Sequence, residues 1–494
     1  MKTLINTVGF PKPSNIPFTG MIKLVTSLCM ALLFAACEKA LEEAPKQISE
    51  ENFYNTEAEV EAAVNAIYPP LRKDLMPNYI ATLECQSDWM YGRGSWTPLS
   101  NYQGLDDANI TRIQGFWNAF YLTVRNANLV IANASEKEAF RVYVAEARFL
   151  RAFSYFQLVR NWGGVPLRTE ANMAEKDLPR STEDEVYQLI LADLTAAASE
   201  LPETASASGR ATKWAAKTLL AEVFLQLNRY SEAAEQANEV AQAGFSLVSV
   251  SSKEDFQYNI FGPDIMASSE EIFALKYARL PGQGNYILWI SNHPSTKLLT
   301  ADGTGAYAVH GDATNPNYLD WDDRDIRKQL WDQIDFGLGP NTLVSAKYAD
   351  PGALDRNTAG NDLPIYRLSD ALLIFAEASA RAENTVSAAA MEALNKVHRR
   401  AYGYAPNIPA EVDFDSADYT VEAFIDLVIR ERGYEFVYEG KRWFELKRTG
   451  KLDDLILHGK RKPVVQKHLL WPIPLSETNF NNAIDPAIDQ NPGY

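Results

Sequence analysis

The sequence predicts a mostly α-helical protein with one clear tetratricopeptide-like helix pair and a long loop-rich segment. Three observations carry that expectation. Long stretches place apolar residues at helical spacing and end in Gly or Pro. Within residues 210–244, Leu220, Ala221, Phe224, Asn228, Tyr230, Ala233, Ala237 and Val240 follow the spacing of a tetratricopeptide helix pair. Residues 246–361 show little helical period, and a segment of that length inside a helical protein usually carries function.

Bulk composition narrows the field. The chain has 494 residues, 46% hydrophobic and 22% charged, enough for a large core and more than one lobe. A formal net charge of −17 argues against nucleic acid, whose binding depends on neutralising phosphates with Lys and Arg. Cys29 and Cys37 lie in or beside an N-terminal apolar run, so only Cys85 is left for the folded protein and no internal disulfide framework is possible. The histidines His293, His310, His398, His458 and His468 form no close pair at ligand spacing, so no zinc site is expected. GxxxxGK[ST], GxSxG and GxGxxG are absent, and no cofactor is implied.

Taken in order, residues 1–20 hold three prolines and no apolar period, which makes Met21 an alternative start. MIKLVTSLCMALLFAAC follows: Lys23, an apolar run, Ala35, Ala36 and then Cys37. The run is too short to span a bilayer but has the length and flanks of a secretory signal. Residues 1–36 are therefore read as leader and lipoprotein signal peptide, and Cys37 as the lipidated mature N-terminus. Phe34 stands where a lipobox more often has Leu, and a signal peptide with an incidental Cys is the alternative. Next, Phe53, Val60, Val64 and Ile67 form a helical pattern ended by Pro69 and Pro70.

Residues 83–104 read LECQSDWMYGRGSWTPLSNYQG, with Trp89, Tyr91, Trp96 and Tyr102 among Gly, Ser, Asn and Pro. They have no period and are expected to be loop, with rings either wedged into the protein or offered to a ligand. Residues 116–159 return to helix, and a helix over 182–201 is expected, with Ser181 or Thr182 as its N-cap. The loop-rich segment holds a strand-like piece at 271–278 and carries Tyr286, Trp289, Tyr307, Trp321 and Trp331. Its acidic run at 319–327 lacks the Gly and Glu of a calcium loop and reads as a turn with Asp–Arg pairs. Residues 367–381 and 391–401 are helical, and the aperiodic tail 469–494 should pack through Trp471 and Ile473.

Residues 429–450, IRERGYEFVYEGKRWFELKRTG, need their own account. Phe424, Leu427 and Val428 define an apolar helix face, and Glu431 and Glu435 fall on it. Carboxylates that point towards a core must be paired or neutral. Arg430, Arg432, Arg442 and Arg448 are the partners nearest in sequence. The stretch is either a buried ion-pair knot or a catalytic pair, since glycoside hydrolysis uses two carboxylates about 5–9.5 Å apart. Arginine neighbours would lower both pKa values and spoil a general acid, which favours the knot.

Several segments together resemble the SusD/RagB family of nutrient-binding outer-membrane lipoproteins. They are the lipobox at Cys37, EARFLRAFSYFQLVRNWGGVPL from Glu146, Asp193 with Leu201 and Pro202, and RLSDALLIFAEA from Arg367. LNKVHRRA from Leu394, RERGYEFVYEGKRWFELKRTG from Arg430 and the ending WPIP…DQNPGY complete the set, in the family's order. Tyr434 and Tyr438 stand where the family varies, and His398-Arg399-Arg400 replaces a more usual single basic residue. The resemblance implies a non-enzymatic, surface-exposed lipoprotein of the cell outer membrane. Its tetratricopeptide-like scaffold would bear a loop-rich ligand-binding face for a glycan, or in some branches a peptide. Its partner would be a SusC-like TonB-dependent transporter. The division implied is residues 37–250, an N-terminal SusD-like helical region, and 251–494, a C-terminal SusD/RagB region.

No invariant ligand residue carries over from that resemblance, so candidates rest on chemistry. Sugar CH faces stack on aromatic planes, while hydroxyls need polar neighbours. Trp89, Trp96 and Tyr102 with Asp88, Arg93 and Asn101 have that mix; so do Tyr286, Trp289 and Trp321 with Asn285 and Asn292. The alternatives are a peptide-binding member of the same family and a glycoside hydrolase using Glu431 and Glu435.

Overall fold

Helix caps written in the sequence set the frame. A computed structural model describes residues 53–72, 74–297, 308–355 and 357–494. The expected signal peptide, the expected lipidation at Cys37 and the loop residue Tyr307 lie outside the described residues. The longer helices are α1 (Glu57–Asn65), α2 (Leu75–Cys85), α3 (Asp107–Ala134), α4 (Arg141–Trp162), α5 (Glu183–Glu200), α6 (Lys213–Gln226) and α7 (Tyr230–Ala241). After α8 (Lys253–Asn259) come α9 (Leu368–Glu383), α10 (Ala388–Ala401), α11 (Val421–Glu435), α12 (Arg442–Thr449) and α13 (Leu452–Lys460).

Thr182 starts α5 with a capping box to Glu185, which satisfies two backbone donors that a helix start leaves open. Asp106 and Thr212 cap α3 and α6 in the same way with one bond each. Between α6 and α7 the chain reverses through Asn228 at φ 57°, a left-handed turn that Asn tolerates better than most residues. Ala221 and Ala233 are both buried where those helices meet. Packing then runs α3 on α4, α4 on α5, α5 on α6, α6 on α7, and α7 on α9. Since α9 packs in turn on α10 and α11, helices on both sides of position 250 share one stack.

Short strands decorate this stack: β1 (Tyr91–Gly92), β2 (Glu271–Leu275), β3 (Val309–Asp312), β4 (Trp331–Gln333), β5 (Thr342–Ser345) and β6 (Leu363–Arg367). β1, β3, β5 and β4 form one antiparallel sheet in that order, with Tyr91 opposite His310 and Trp331 opposite Ser345. β2 pairs with β6. The expectation of loop throughout 83–104 is therefore corrected. α2 runs on through Cys85, Tyr91 enters the sheet, and Thr97–Ser100 is a single helical turn. Elements this short leave no readable period.

The aperiodic tail straps α4. Trp471 N donates to Asn161 O (2.7 Å), Trp162 Nε1 to Pro472 O (3.0 Å), and Asn491 Nδ2 to Trp162 O (2.9 Å) and Trp471 O (2.6 Å). Trp471 packs edge-on against Trp162 with ring centroids 5.0 Å apart.

At the end of α11 lies a buried charge knot. Arg367 and Arg400 donate to Glu435 Oε1 at 2.8 and 2.5 Å, and Arg327 reaches its Oε2 at 3.1 Å. Arg327 also meets Glu431 (2.6 Å), with His398 on its other oxygen (3.2 Å). Glu439 pairs with Arg367 (2.7 Å) and Lys347 (2.6 Å). Lys347 Nζ also donates to the carbonyl of Glu435, the last residue of α11, and to that of Val437 just beyond it. The arginines nearest in sequence are not the partners, which corrects that expectation. Arg432 binds Glu445, Arg442 binds Asp88, Arg448 binds Glu377, and Arg430 makes no ion pair among the described residues. A helix face aims side chains across the fold, so the partners of Glu435 come from β6, α10 and the loop before β4.

Candidate functional site

Sequence, not chance, brings a group of rings to the rim of the β1–β3–β5–β4 sheet. Tyr286 precedes the short helical turn Ile287–Ser291, which sets Trp289 three positions on. The two rings stack, with centroids 4.7 Å apart and planes 25° apart. His293 follows and stacks on Phe336 of the β4–β5 connection, at 4.1 Å and 6°. Arg93 N donates to Ala308 O, and Ala308 N donates to Ile290 O, each at 2.8 Å. Those two backbone bonds fix the β1 exit, the β3 entry and the Trp289 turn side by side. Tyr91 lies flat against His310 (5.9 Å, 24°) across the first strand pair.

Exposure and charge follow. Tyr286, Trp289, His293, Phe336, Tyr91 and His310 are half-buried, and Arg93 is exposed. Burial and then the Arg93 guanidinium push the His293 pKa below its ordinary value, and burial does the same at His310. Both imidazoles are therefore neutral at pH 7, so this region offers flat uncharged rings near the Arg93 guanidinium.

Other predicted site residues turn inward. Asp88 is fully buried in a two-pronged pair with Arg442 (2.9 and 2.8 Å) and accepts from Asn317. Trp96 is buried under the Arg112 guanidinium, 3.7 Å from its ring centre. Tyr102 is buried between Trp443 and His468, its hydroxyl donating to Gln86 O. Asn101 is half-buried at the end of the Thr97–Ser100 turn. Asn285 and Asn292 donate inward to the carbonyls of Asn361 and Tyr348.

Trp89 and Trp321, from two widely separated loops, meet at 5.5 Å. Trp321 stacks on Tyr434 (4.2 Å, 5°), and Trp89 meets Tyr434 edge-on at 5.6 Å. Only 6% of Trp89 and 2% of Trp321 remain exposed, so these indoles are wedged, not offered. Of the predicted set, the structure thus brings Arg93, Tyr286 and Trp289 into one neighbourhood, the first exposed and the others half-buried. Sequence reasoning missed His293, His310 and Phe336 there. Their signal was weak, since each is a lone ring in an aperiodic segment.

Glu431 and Glu435 are sealed. Burial alone would raise the pKa of Glu431, but Arg327 and His398 outweigh it and hold it at about 2. At Glu435 burial is likewise outweighed, by Arg400, Arg367 and Arg327, and its pKa lies well below the usual carboxylate range. Neither group holds a proton to donate at neutral pH, so this pair has no general acid. Among the described residues, no His, Cys, Asp and Glu grouping could hold a metal ion, and no helix is long and apolar enough to cross a membrane.

Comparison with known proteins places the chain as a whole. Residues 39–225 match the family model described as starch-binding associating with outer membrane, and residues 296–494 match the SusD family model. The chain is 27% identical over 528 residues to the SusD-like protein P2 of Formosa agariphila, covering 95% of this chain and 99% of that relative. Its fold is similar to the crystal structure of a SusD homolog from Bacteroides thetaiotaomicron, with a TM-score of 0.76 at 21% identity over 90% of this chain and 98% of the other. It is also similar to the surface glycan-binding protein A of Bacteroides fluxus, with a TM-score of 0.73 at 22% identity over 89% of this chain and 100% of the other. With both halves matched by models of one family, and relatives and folds alike along nearly the whole length, the chain belongs to the SusD/RagB family.

Proposed function

We propose that the protein is a cell-surface lipoprotein, anchored through Cys37 in the outer membrane, that captures an oligosaccharide or polysaccharide. It delivers this ligand to a SusC-like TonB-dependent transporter and performs no catalysis. Arg93, Tyr286 and Trp289 carry the site, with His293 and Phe336 beside them. One observation carries the reading: two stacked ring pairs, Tyr286 on Trp289 and His293 on Phe336, stand half-buried near the exposed Arg93, whose charge is felt at His293. Flat neutral rings suit the apolar faces of pyranose units, and Arg93 can donate to hydroxyls at their edge. The glycan-binding name of the Bacteroides fluxus relative and the starch-binding description of the N-terminal family model support it.

The test is a glycan array followed by calorimetry on the strongest ligand. Trp289→Ala should weaken binding about tenfold to a hundredfold, as loss of a central aromatic anchor does, with the melting temperature little changed. Unaltered affinity would reject the face. Binding to a peptide library with no glycan bound would move the assignment to the peptide-binding branch.

A further inference from the structure

Two adjoining clefts flank the outer stripe of α11, one of about 630 Å³ and one of about 450 Å³. Asp320, Arg430 and Tyr434 line both. Tyr434 is the outer member of its stack with Trp321: Trp321 is buried, whereas Tyr434 is half-buried and reaches the clefts. The stack is locked from below. Trp321 Nε1 donates to Asp325 (2.8 Å), which Arg327 of the charge knot clamps at 2.6 Å. A phenol ring fixed on such a base is pre-organised for contact and loses little freedom on binding.

The polar groups around the ring select the ligand. Arg430, one helical turn before Tyr434, is exposed and makes no ion pair among the described residues. Asp320 is exposed, with His458 Nε2 at 3.9 Å. A polyanion would meet Asp320 together with Glu411 and Asp454 at the far ends of the clefts. A polycation would meet Arg430 and Arg324. A ligand rich in hydroxyls and without charge satisfies both signs, accepting from Arg430 and donating to Asp320.

We propose that the clefts around Arg430 and Tyr434 form a second saccharide site, taking uncharged oligosaccharides, apart from the ring face at Trp289. The inference rests on the glycan-capture reading given above. Two sites on one compact unit would let a single long glycan bind at both, raising its apparent affinity through effective concentration.

The experiment uses an array of neutral, uronate-bearing and sulfated oligosaccharides, followed by calorimetry on the strongest neutral ligand. Wild type, Trp289→Ala, Arg430→Ala, Trp289→Ala with Arg430→Ala, and Tyr434→Phe are compared. Arg430→Ala should lower affinity for neutral glycans about tenfold, the scale of one charged hydrogen bond, at unchanged melting temperature. Trp289→Ala should leave residual binding that the double variant loses, and Tyr434→Phe, which keeps the ring, should stay near wild type. Wild-type affinity in Arg430→Ala, or residual binding equal in the single and double variants, overturns the second site and leaves the Trp289 face standing. A preference for uronate or sulfated glycans that Arg430→Ala abolishes overturns the assignment of an uncharged ligand. No glycan bound by the wild type overturns both readings together.

Discussion

Under α11, guanidinium groups from Arg327, Arg367 and Arg400 share the carboxylates of Glu431, Glu435 and Glu439 with almost no exposure to water. Around Trp289, an exposed guanidinium and half-buried imidazoles and aromatic rings stand partly in solvent. Similar residue types thus do opposite work. In the first region every charge is spent on another charge of the chain, and the result is rigidity. In the second the donor and the rings stay partly in water, the condition that the proposed ligand face requires. What separates the two is burial, because desolvation forces charges to pair within the chain while exposure leaves them in reach of water.

The most severe way to break this contrast is Glu435→Ala. It leaves three buried guanidinium groups without their shared partner, and should cost about 3–5 kcal/mol in chemical denaturation. Wild-type stability would mean that the knot behaves as a solvated face after all. Next, Trp89→Ala should cost about 3 kcal/mol and leave a cavity under Tyr434, behaving as a core substitution. A loss of glycan affinity at undiminished stability would return Trp89 to the ligand site.

Acid should act on the knot with a defined sign. The folded pKa values of Glu431 and Glu439 are about 2, below the ordinary value near 4.3 of an unfolded chain. Between these limits the unfolded chain binds more protons, so this stabilisation is complete above about pH 4.5 and is lost as pH falls towards 2. Each carboxylate contributes at most about 1.4 kcal/mol per pH unit, and denaturation midpoints taken from pH 5 to pH 3 measure the slope. A midpoint that rises on acidification through this range would contradict the pairing. The mildest change is Arg93→Ala, where an exposed donor is removed. A few-fold loss of glycan affinity, read by calorimetry, is expected with no change in melting temperature.

Local sequence carried the scaffold well. The Thr182 capping box, the left-handed Asn228 turn and the small pair Ala221 and Ala233 each act within a turn or two of their own position, so their consequence can be read in place. It also carried the need for a knot, because Glu431 and Glu435 fall on an apolar helix face. It could not name the partners. Arg367 on β6 and Arg400 on α10 approach only through the packing of α9, α10 and α11. The loop rings were the least legible. In an aperiodic segment nothing local says which way an indole points, and Trp89 and Trp289 look alike in sequence while one is wedged and the other half in water.

The strap across α4 has a consequence for the order of folding. Trp162 closes its bonds with Pro472 and Asn491, which lie 310 and 329 positions downstream. Contacts of such separation form late, because a long loop must close before they return any free energy. On this argument α4 should assemble with α3 and α5 first and close its seam at Trp162 last. Refolding should show a slow final phase that tracks the Trp162 and Trp471 indoles, and a chain cut before Trp471 should stop at that seam.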